Sequence, residues 1–158
     1  MRKGFTLIEM LVVIAIIAVL AAIVAPSAFK AVDKGKISAA VGNFKSIKTA
    51  VMAYYADTGA WPAAGAVGAG LVATDGVSGW DGPYLDKWPG KGQWGAGVYT
   101  FGITAGPPQT RWVSLSLVPQ AAAAKIDIAL DGTAAGAAGS VTYTADAITT
   151  VTVLLSSD

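Results

Sequence analysis

The chain of 158 residues contains no cysteine and no histidine, and Glu9 is its single glutamate. The missing side chains exclude disulfide cross-links, thiol nucleophiles, imidazole bases and the commonest zinc sites. We therefore expect a protein that is not an enzyme and that binds no cofactor and no metal ion. Its folded domain must be held together by packing alone.

Charge of either sign is also scarce. The 11 basic and 10 acidic residues give a formal net charge of +1, so no overall field attracts nucleic acid or an acidic partner. Hydrophobic residues make up 54% of the chain, which is more than a soluble domain of this length usually contains. We expect one domain, with part of its apolar surface facing lipid or other subunits.

The apolar residues are concentrated near the N-terminus, where residues 10–25 include no polar side chain. Counted from Phe5, the apolar segment is about 20 residues long, enough to cross a bilayer core as a helix. Arg2 and Lys3 precede it, so the positive-inside rule places the N-terminus in the cytoplasm and the remainder outside. We predict a single-pass membrane helix over residues 5–25.

Glu9 lies within this apolar segment. A carboxylate in hydrocarbon costs several kcal/mol unless a partner neutralises it. A cleavable secretory signal peptide shares the basic start and the apolar core, and a plain membrane anchor shares the length and the orientation. Neither alternative explains a charged Glu9 within the apolar segment. The residues alone nevertheless exclude neither the signal peptide nor the plain anchor.

The string KGFTLIEMLVVIAIIAVLAAIVAP, residues 3–26, resembles the N-terminal signature of the type IV filament superfamily. This superfamily comprises type IV pilins, competence pseudopilins and the pseudopilins of type II secretion. The resemblance implies that a prepilin peptidase removes the leader, residues 1–4, by cutting after Gly4, and that the new terminal amine of Phe5 is methylated. It also implies that Glu9 of an incoming subunit pairs with the Phe5 amine of a neighbour.

Pro26 follows the apolar segment, and a proline kinks or locally breaks a helix that passes through it. The resembling family has a proline near the place where the helix loosens in assembled filaments. Over residues 26–58, apolar side chains recur at intervals of three and four: Ile37, Val41, Phe44, Ile47, Val51 and Tyr54. We predict an amphipathic helix here that ends at the DTG sequence of residues 57–59.

Two groups of charged residues suggest other functions, namely nucleic-acid binding and catalysis. Five lysines form a loose basic string on this helix: Lys30, Lys34, Lys36, Lys45 and Lys48. Because Asp33 interrupts the string and no arginine joins it, we interpret it as a solvated or subunit-facing surface and do not expect a nucleic-acid partner. Asp127 and Asp131 are four residues apart, where helix-surface and capping roles suffice without catalysis.

The remainder of the chain predicts a packed loop followed by a small sheet. Residues 59–97 are rich in glycine and alanine and contain four tryptophans that would pin the loop: Trp61, Trp80, Trp88 and Trp94. Over residues 98–158, alternation predicts two antiparallel hairpins. We expect a short helix near residues 121–130 between them, although Ile126, Ile128 and Leu130 also alternate as in a strand. One face of the first hairpin combines Tyr99, Phe101 and Ile103 with Val113, Leu115 and Leu117, and the last strand directs Val151, Val153 and Leu155 one way.

The predicted fold is therefore α+β, with a long N-terminal helix, half transmembrane and half amphipathic, packed on about four antiparallel strands. Residues 54–101 resemble the pseudopilin pattern through ADTGAWP and GPYL, but Gly92-Gln93 stands where secretion pseudopilins carry Asp-Pro. The scattered aspartates after Trp112 do not provide the six or more oxygens that calcium needs. The segment KIDIALDGTAAG is similar to a stretch of some cysteine-free type IV pilins.

These features together predict a prepilin, the structural subunit of a type IV filament. The resemblance implies as partners identical or related subunits, the prepilin peptidase, an inner-membrane assembly platform and a cytoplasmic assembly ATPase. It implies an inner-membrane location before assembly and an extracellular pilus or a periplasmic pseudopilus afterwards. A pseudopilin of type II secretion is the alternative function, and a membrane-anchored binding module that never polymerises is a third.

Overall fold

The computed structural model describes residues 4–134, 136 and 139–157, so the predicted leader lies outside the described residues except for Gly4. The elements in chain order are α1 (Leu7–Thr58), β1 (Tyr99–Thr104), β2 (Thr110–Pro119), α2 (Gln120–Asp131), β3 (Val141–Thr142) and β4 (Ile148–Ser157). The predicted α+β class is confirmed. The chain divides into two compact units, with the boundary between Gly35 and Lys36.

The first unit contains the N-terminal part of α1. Every described residue from Gly4 to Gly35 is exposed in the single chain. Helix α1 is long and apolar enough near the N-terminus to cross a membrane. An aliphatic helix without protein neighbours has to meet lipid or other helices, because water would leave all of this apolar surface unburied.

The second unit begins with the amphipathic part of α1, whose apolar stripe forms one side of the core. Phe44, Ile47, Val51 and Tyr54 are each no more than 2% exposed. The Phe44 ring meets the Tyr99 ring of β1 edge to face, with ring centroids 5.5 Å apart. Burying a side chain of this size stabilises the fold by about 1.5 to 3 kcal/mol. The helix ends at Thr58, and Gly59 follows with φ 69, as the DTG sequence predicts.

The sheet has the strand order β1-β2-β4-β3, and all its pairs are antiparallel. The two predicted hairpins, β1–β2 and β3–β4, are confirmed, and the pairing of β2 with β4 joins them. Seven of the predicted inward-facing residues are buried: Tyr99, Phe101, Val113, Leu115, Val151, Val153 and Leu155. Ile103, predicted to share the face of Tyr99 and Phe101, is 37% exposed near the end of β1. Helix α2 ends at Asp131 and is capped by Gly132, whose left-handed φ of 82 lets its N–H donate to the Ile128 carbonyl.

The prediction for Leu117 in β2 is also wrong. Leu117 was expected to share the inward face with Leu115, but the β2–β4 register shifts between Leu115 and Val118. Val118 is fully buried, and Leu117 is 45% exposed. A bulge inserts an extra residue and so reverses the alternation beyond it.

The loop over residues 59–97 is packed, as its tryptophans predict. The Trp88 indole is 6% exposed and donates to the Tyr99 carbonyl at 3.3 Å. The Trp80 indole donates to the Gly70 carbonyl at 2.7 Å. These indole hydrogen bonds fix two distant parts of the loop against the sheet and against each other.

The start of the loop is held by a stack of three side chains. Trp61 lies flat against Tyr55, with ring centroids 4.2 Å apart, and the Arg111 guanidinium carbon lies 4.5 Å from the Trp61 ring. Arg111 is 4% exposed and donates to the Gln109 side-chain oxygen at 3.2 Å. Because a guanidinium is attracted to an aromatic face, this contact links the loop to β2.

The outer edge of β1 is covered by a loop residue. Gly65 donates to the Phe101 carbonyl at 2.8 Å, and Phe101 donates back to the Gly65 carbonyl at 2.9 Å. This isolated bridge occupies backbone groups that an edge strand would otherwise present to other chains.

The Gly92-Gln93 departure from the pseudopilin pattern falls in a closed turn. The Gly92 N–H donates to the Gly97 carbonyl at 2.6 Å. Asn43 donates to the Tyr99 hydroxyl at 3.2 Å, and this hydroxyl donates to Gln93 Oε1 at 2.9 Å. Burial raises the pKa of Tyr99. Gln93 therefore connects the turn, the first strand and α1.

Tyr54 anchors the middle of the loop to α1. It is 1% exposed, and its hydroxyl donates to Asp75 Oδ2 at 2.7 Å. Burial, with a further contribution from Asp75, raises the pKa of Tyr54 to about 12. The same hydrogen bond lowers the pKa of Asp75. An unfolded tyrosine titrates near pH 10, so the stabilising contribution is complete below about pH 10 and is lost as pH rises to about 12.

Replacing Tyr54 by phenylalanine should lower the free energy of unfolding by about 1 kcal/mol at neutral pH, because the Asp75 hydrogen bond is lost. The variant should also lose less stability than the wild type between about pH 10 and 12. Denaturant unfolding of the full-length chain in detergent, followed by tryptophan fluorescence, measures both effects. Tyr55→Phe is the control, since Tyr55 is 42% exposed. Identical pH dependence in Tyr54→Phe and wild type would contradict the assignment.

Candidate functional site

The candidate site lies where α1 begins, and Thr6 and Glu9 cap the helix reciprocally. Glu9 Oε2 accepts hydrogen bonds from the Thr6 N–H at 2.8 Å and from the Thr6 hydroxyl at 2.7 Å. The Glu9 N–H donates to Thr6 Oγ1 at 3.3 Å. This is a capping box, in which the residue before the first helical turn and the third residue of that turn satisfy each other's backbone donors.

The capping box gives Glu9 a local partner that the sequence analysis missed. The Thr-x-x-Glu spacing was readable as a helix start signal. The strong apolar context led instead to the interpretation of Glu9 as a lone charge in need of a neighbour. The three bonds involve only one carboxylate oxygen, Oε2. Glu9 Oε1 takes part in none of them.

Gly4 and Phe5 precede the capping box and are both exposed. A Cβ built on Gly4 would meet no atom within 4 Å. The Phe5 side chain is 81% exposed. A protease could therefore reach the peptide bond between them without unfolding any part of the described chain. The cleavage itself, and methylation of Phe5, stay predictions.

The helix beyond the capping box presents a purely aliphatic surface. A groove of about 360 Å³ is lined by Leu11, Val12, Ala15, Ile16, Val19 and Leu20. Successive members of this set are one or three residues apart and lie along one side of the helix. Such a side fits the apolar surface of a second helix.

Pro26 lies inside α1, which continues through it. Proline provides no N–H for the helix ladder. The Ser27 hydroxyl donates to the Val24 carbonyl at 2.8 Å beside it. The predicted loosening at Pro26 concerns assembled filaments and stays a prediction.

Asp127 and Asp131, the two carboxylates considered for catalysis, instead accept hydrogen bonds from the residues that follow α2. Asp127 Oδ2 accepts from the Gly136 N–H at 3.1 Å. Asp131 accepts from the Val141 N–H at 2.8 Å and from the Ser140 hydroxyl. The Ser140 bond is the main cause that lowers the pKa of Asp131. Among the described residues, no cluster of three acidic side chains could hold a metal ion.

Two models of known protein families match this chain, and one of them covers the N-terminal region that contains the candidate site. Residues 1–25 match the model of the prokaryotic N-terminal methylation motif, and residues 31–104 match the C-terminal model of PilW. A fimbrial protein of Eikenella corrodens, EcpC, is 48% identical over 73 residues, which are 46% of this chain and 47% of that protein. The chain is therefore similar to type IV pilins and pseudopilins, and it carries the N-terminal methylation motif.

Further relatives of this pilin-like chain come from both branches. The type IV major pilin PilE1 of Neisseria gonorrhoeae is 37% identical over 75 residues, 48% of this chain and 35% of that pilin. The type II secretion system core protein G of Pseudomonas aeruginosa is 41% identical over 61 residues, 39% of this chain and 43% of that protein. The matched stretch spans less than half the length of each relative. No solved structure gives a significant match to the pilin-like chain.

Proposed function

We propose that this chain is a prepilin, which is cut after Gly4, methylated at Phe5 and polymerised through its N-terminal helix into a type IV pilus. The observation that carries the proposal is the methylation motif of residues 1–25. Within it, the only glutamate of the chain stands in the first turn of α1, directly before the exposed and apolar residues 10–25.

Before assembly, the prepilin spans the inner membrane through residues 5–25. The basic Arg2 and Lys3 keep the N-terminus in the cytoplasm, which leaves residues 26–158 outside it. The uninterrupted exposure of the aliphatic helix supports a lipid environment at this stage. The predicted subdivision into leader, membrane helix, amphipathic helix, loop and sheet follows this topology.

In the filament, Glu9 of one subunit neutralises the Phe5 ammonium of its neighbour. Both charges are costly in an apolar core, and pairing removes most of that cost. The capping box supports the pairing geometrically, because Thr6 holds Oε2 and fixes the carboxylate at the helix start. Oε1 then accepts the hydrogen bond from the neighbour's amine.

Assembly needs energy from a machine. Burying some 15 to 20 aliphatic side chains at about 1.5 to 3 kcal/mol each gives tens of kcal/mol gross. Lipid already buries the same side chains, so little of this is gained on moving from membrane to filament. A prepilin peptidase, an inner-membrane platform and a cytoplasmic ATPase are therefore the proposed partners, and loosening at Pro26 eases the helix into the filament.

A pseudopilin of a type II secretion system is the second candidate. The 41% identity to core protein G favours it, and so does the GPYL segment. The absence of the Asp-Pro pair before Trp94 argues for a pilin. A non-polymerising membrane anchor would not need Gly4, Phe5 and Glu9 together.

Cryo-electron microscopy of filaments sheared from the source cells, with intact-mass spectrometry of their subunit, tests the proposal. We expect long surface fibres of a chain that begins at N-methylated Phe5. A processed chain that stays in the membrane with secretion proteins would support the pseudopilin alternative. A chain that retains residues 1–4 would contradict the proposal and support a simple membrane anchor.

A further inference from the structure

The bulge in β2 turns Leu117 out of the core. Leu117 has φ 56, and it is the only residue other than glycine with a positive φ in the part of the chain that the structure describes. A left-handed backbone is unfavourable for a leucine. Such strained positions persist only where surrounding contacts enforce them, and they concentrate at functional surfaces.

The contacts that enforce the bulge come from the residues before β1. A Cβ built on Gly97 would lie 2.2 Å from the Ser116 carbonyl oxygen, so only glycine permits this approach. The Val98 N–H donates to the Ser116 hydroxyl at 3.0 Å, and the Ser116 N–H donates to the Val98 carbonyl at 3.2 Å. The outward direction of Leu117 is therefore set by specific local packing.

Leu117 shares a surface groove with a second exposed aliphatic side chain, Ile148. Leu117 is 45% and Ile148 61% exposed. The groove measures about 340 Å³ and also includes Asp146 and three threonines. Two adjacent apolar side chains with one carboxylate would fit a partner that presents an apolar group next to a cation.

Helix α2 presents that combination on its exposed side. Lys125 and Ile128 are three residues apart, so they lie side by side on the helix surface. Both are exposed, and Ile128 is 51% exposed. The groove and this side of α2 are different surfaces of the same chain. A contact between them is heterologous, and repetition of a heterologous contact builds an open helical polymer.

We propose that the groove of Leu117, Ile148 and Asp146 receives the Lys125–Ile128 side of α2 from a second copy of this chain. Ile128 packs between Leu117 and Ile148, and the Lys125 ammonium pairs with the Asp146 carboxylate. The inference rests on the proposed function, because only a polymer brings many copies of the head into fixed contact. It adds a head contact that sets the register between neighbours.

The lack of native cysteine permits a direct cross-linking test. Full-length chains carrying Leu117→Cys are co-expressed with chains carrying Ile128→Cys, and their filaments are treated with a short bismaleimide. We expect covalent dimers in the mixed filaments and not in filaments of either variant alone. The control pairs Val67→Cys, at a position that is 73% exposed, with Ile128→Cys. Dimers no more abundant than in this control would overturn the contact.

A charge exchange tests the polar part of the contact. Asp146→Lys and Lys125→Asp should each lower filament yield several-fold, and the double variant should recover most of it, because the pair is then reversed and intact. Failure of the double variant to recover would overturn the pairing. If wild-type chains form no filaments at all, the proposed function fails first, whereas filaments without cross-links refute this contact alone.

Leu117→Asn separates the contact from folding. Asparagine tolerates a left-handed φ better than leucine, so the unfolding midpoint of the full-length chain in detergent should stay equal or rise. Cross-linking between Ile148→Cys and Ile128→Cys chains should nevertheless fall several-fold when Leu117→Asn is added to both. Unchanged cross-linking would mean that Leu117 contributes nothing to the interface.

Discussion

Replacing Glu9 by valine should abolish filaments and leave membrane insertion intact. Valine leaves the neighbour's Phe5 ammonium unpaired in an apolar core, which costs several kcal/mol. Since about 1.4 kcal/mol corresponds to a factor of ten in an equilibrium constant, filament yield should fall by at least tenfold. Immunoblots of the sheared surface fraction and of the inner-membrane fraction measure the two outcomes separately.

The capping box makes it necessary to separate charge pairing from helix capping. Glu9→Gln keeps an oxygen that can accept from Thr6, since glutamine also serves in capping boxes, but it removes the charge. Thr6→Val keeps the charge of Glu9 but removes the Thr6 hydroxyl, which takes part in the capping box. If charge pairing drives assembly, Glu9→Gln should fail as completely as Glu9→Val, and Thr6→Val should assemble more than either. Normal filaments from Glu9→Gln would instead assign Glu9 to the cap.

Replacing Gly4 by valine should block processing and abolish filaments. The resemblance places the peptidase cut after this glycine, and a branched side chain would obstruct the enzyme's access to the bond. A Cβ at Gly4 meets no atom within 4 Å, and the same holds at Gly35. Any loss in Gly4→Val therefore reflects processing rather than misfolding of the described chain.

Gly35→Val is the matched control for this experiment and should be processed normally. Intact-mass spectrometry of the membrane fraction distinguishes the chain with residues 1–4 from the chain that begins at Phe5. A Gly4→Val chain that is nevertheless trimmed and methylated would refute the assignment of the cleavage site.

The sequence predicted those parts of the fold that local patterns determine. The end of α1 at Thr58 follows from the DTG turn, and the two hairpins follow from alternating apolar residues with turns between them. These features depend on residues close together in the chain. They therefore needed no knowledge of tertiary contacts.

The features that were missed depend on distant or competing contacts. Leu115, Leu117 and Val118 are all apolar, so alternation alone could not show which of the last two is buried. The close approach of Gly97 to Ser116 decides it, and Gly97 lies in the loop before β1, distant in the chain. Arg111 is buried because Trp61, fifty positions earlier in the numbering, provides a ring for its guanidinium. The capping box was visible locally, but the apolar context outweighed it.

The bridge between Gly65 and Phe101 affects how copies of this protein interact when they are crowded together. Where copies of this chain are crowded together, heads with open sheet edges would join through backbone hydrogen bonds into cross-β aggregates. With backbone groups of β1 already engaged by Gly65, contact between heads at this edge of the sheet depends on side chains, which separate readily. Two heads that touch at this edge can then separate again without breaking a ladder of backbone hydrogen bonds.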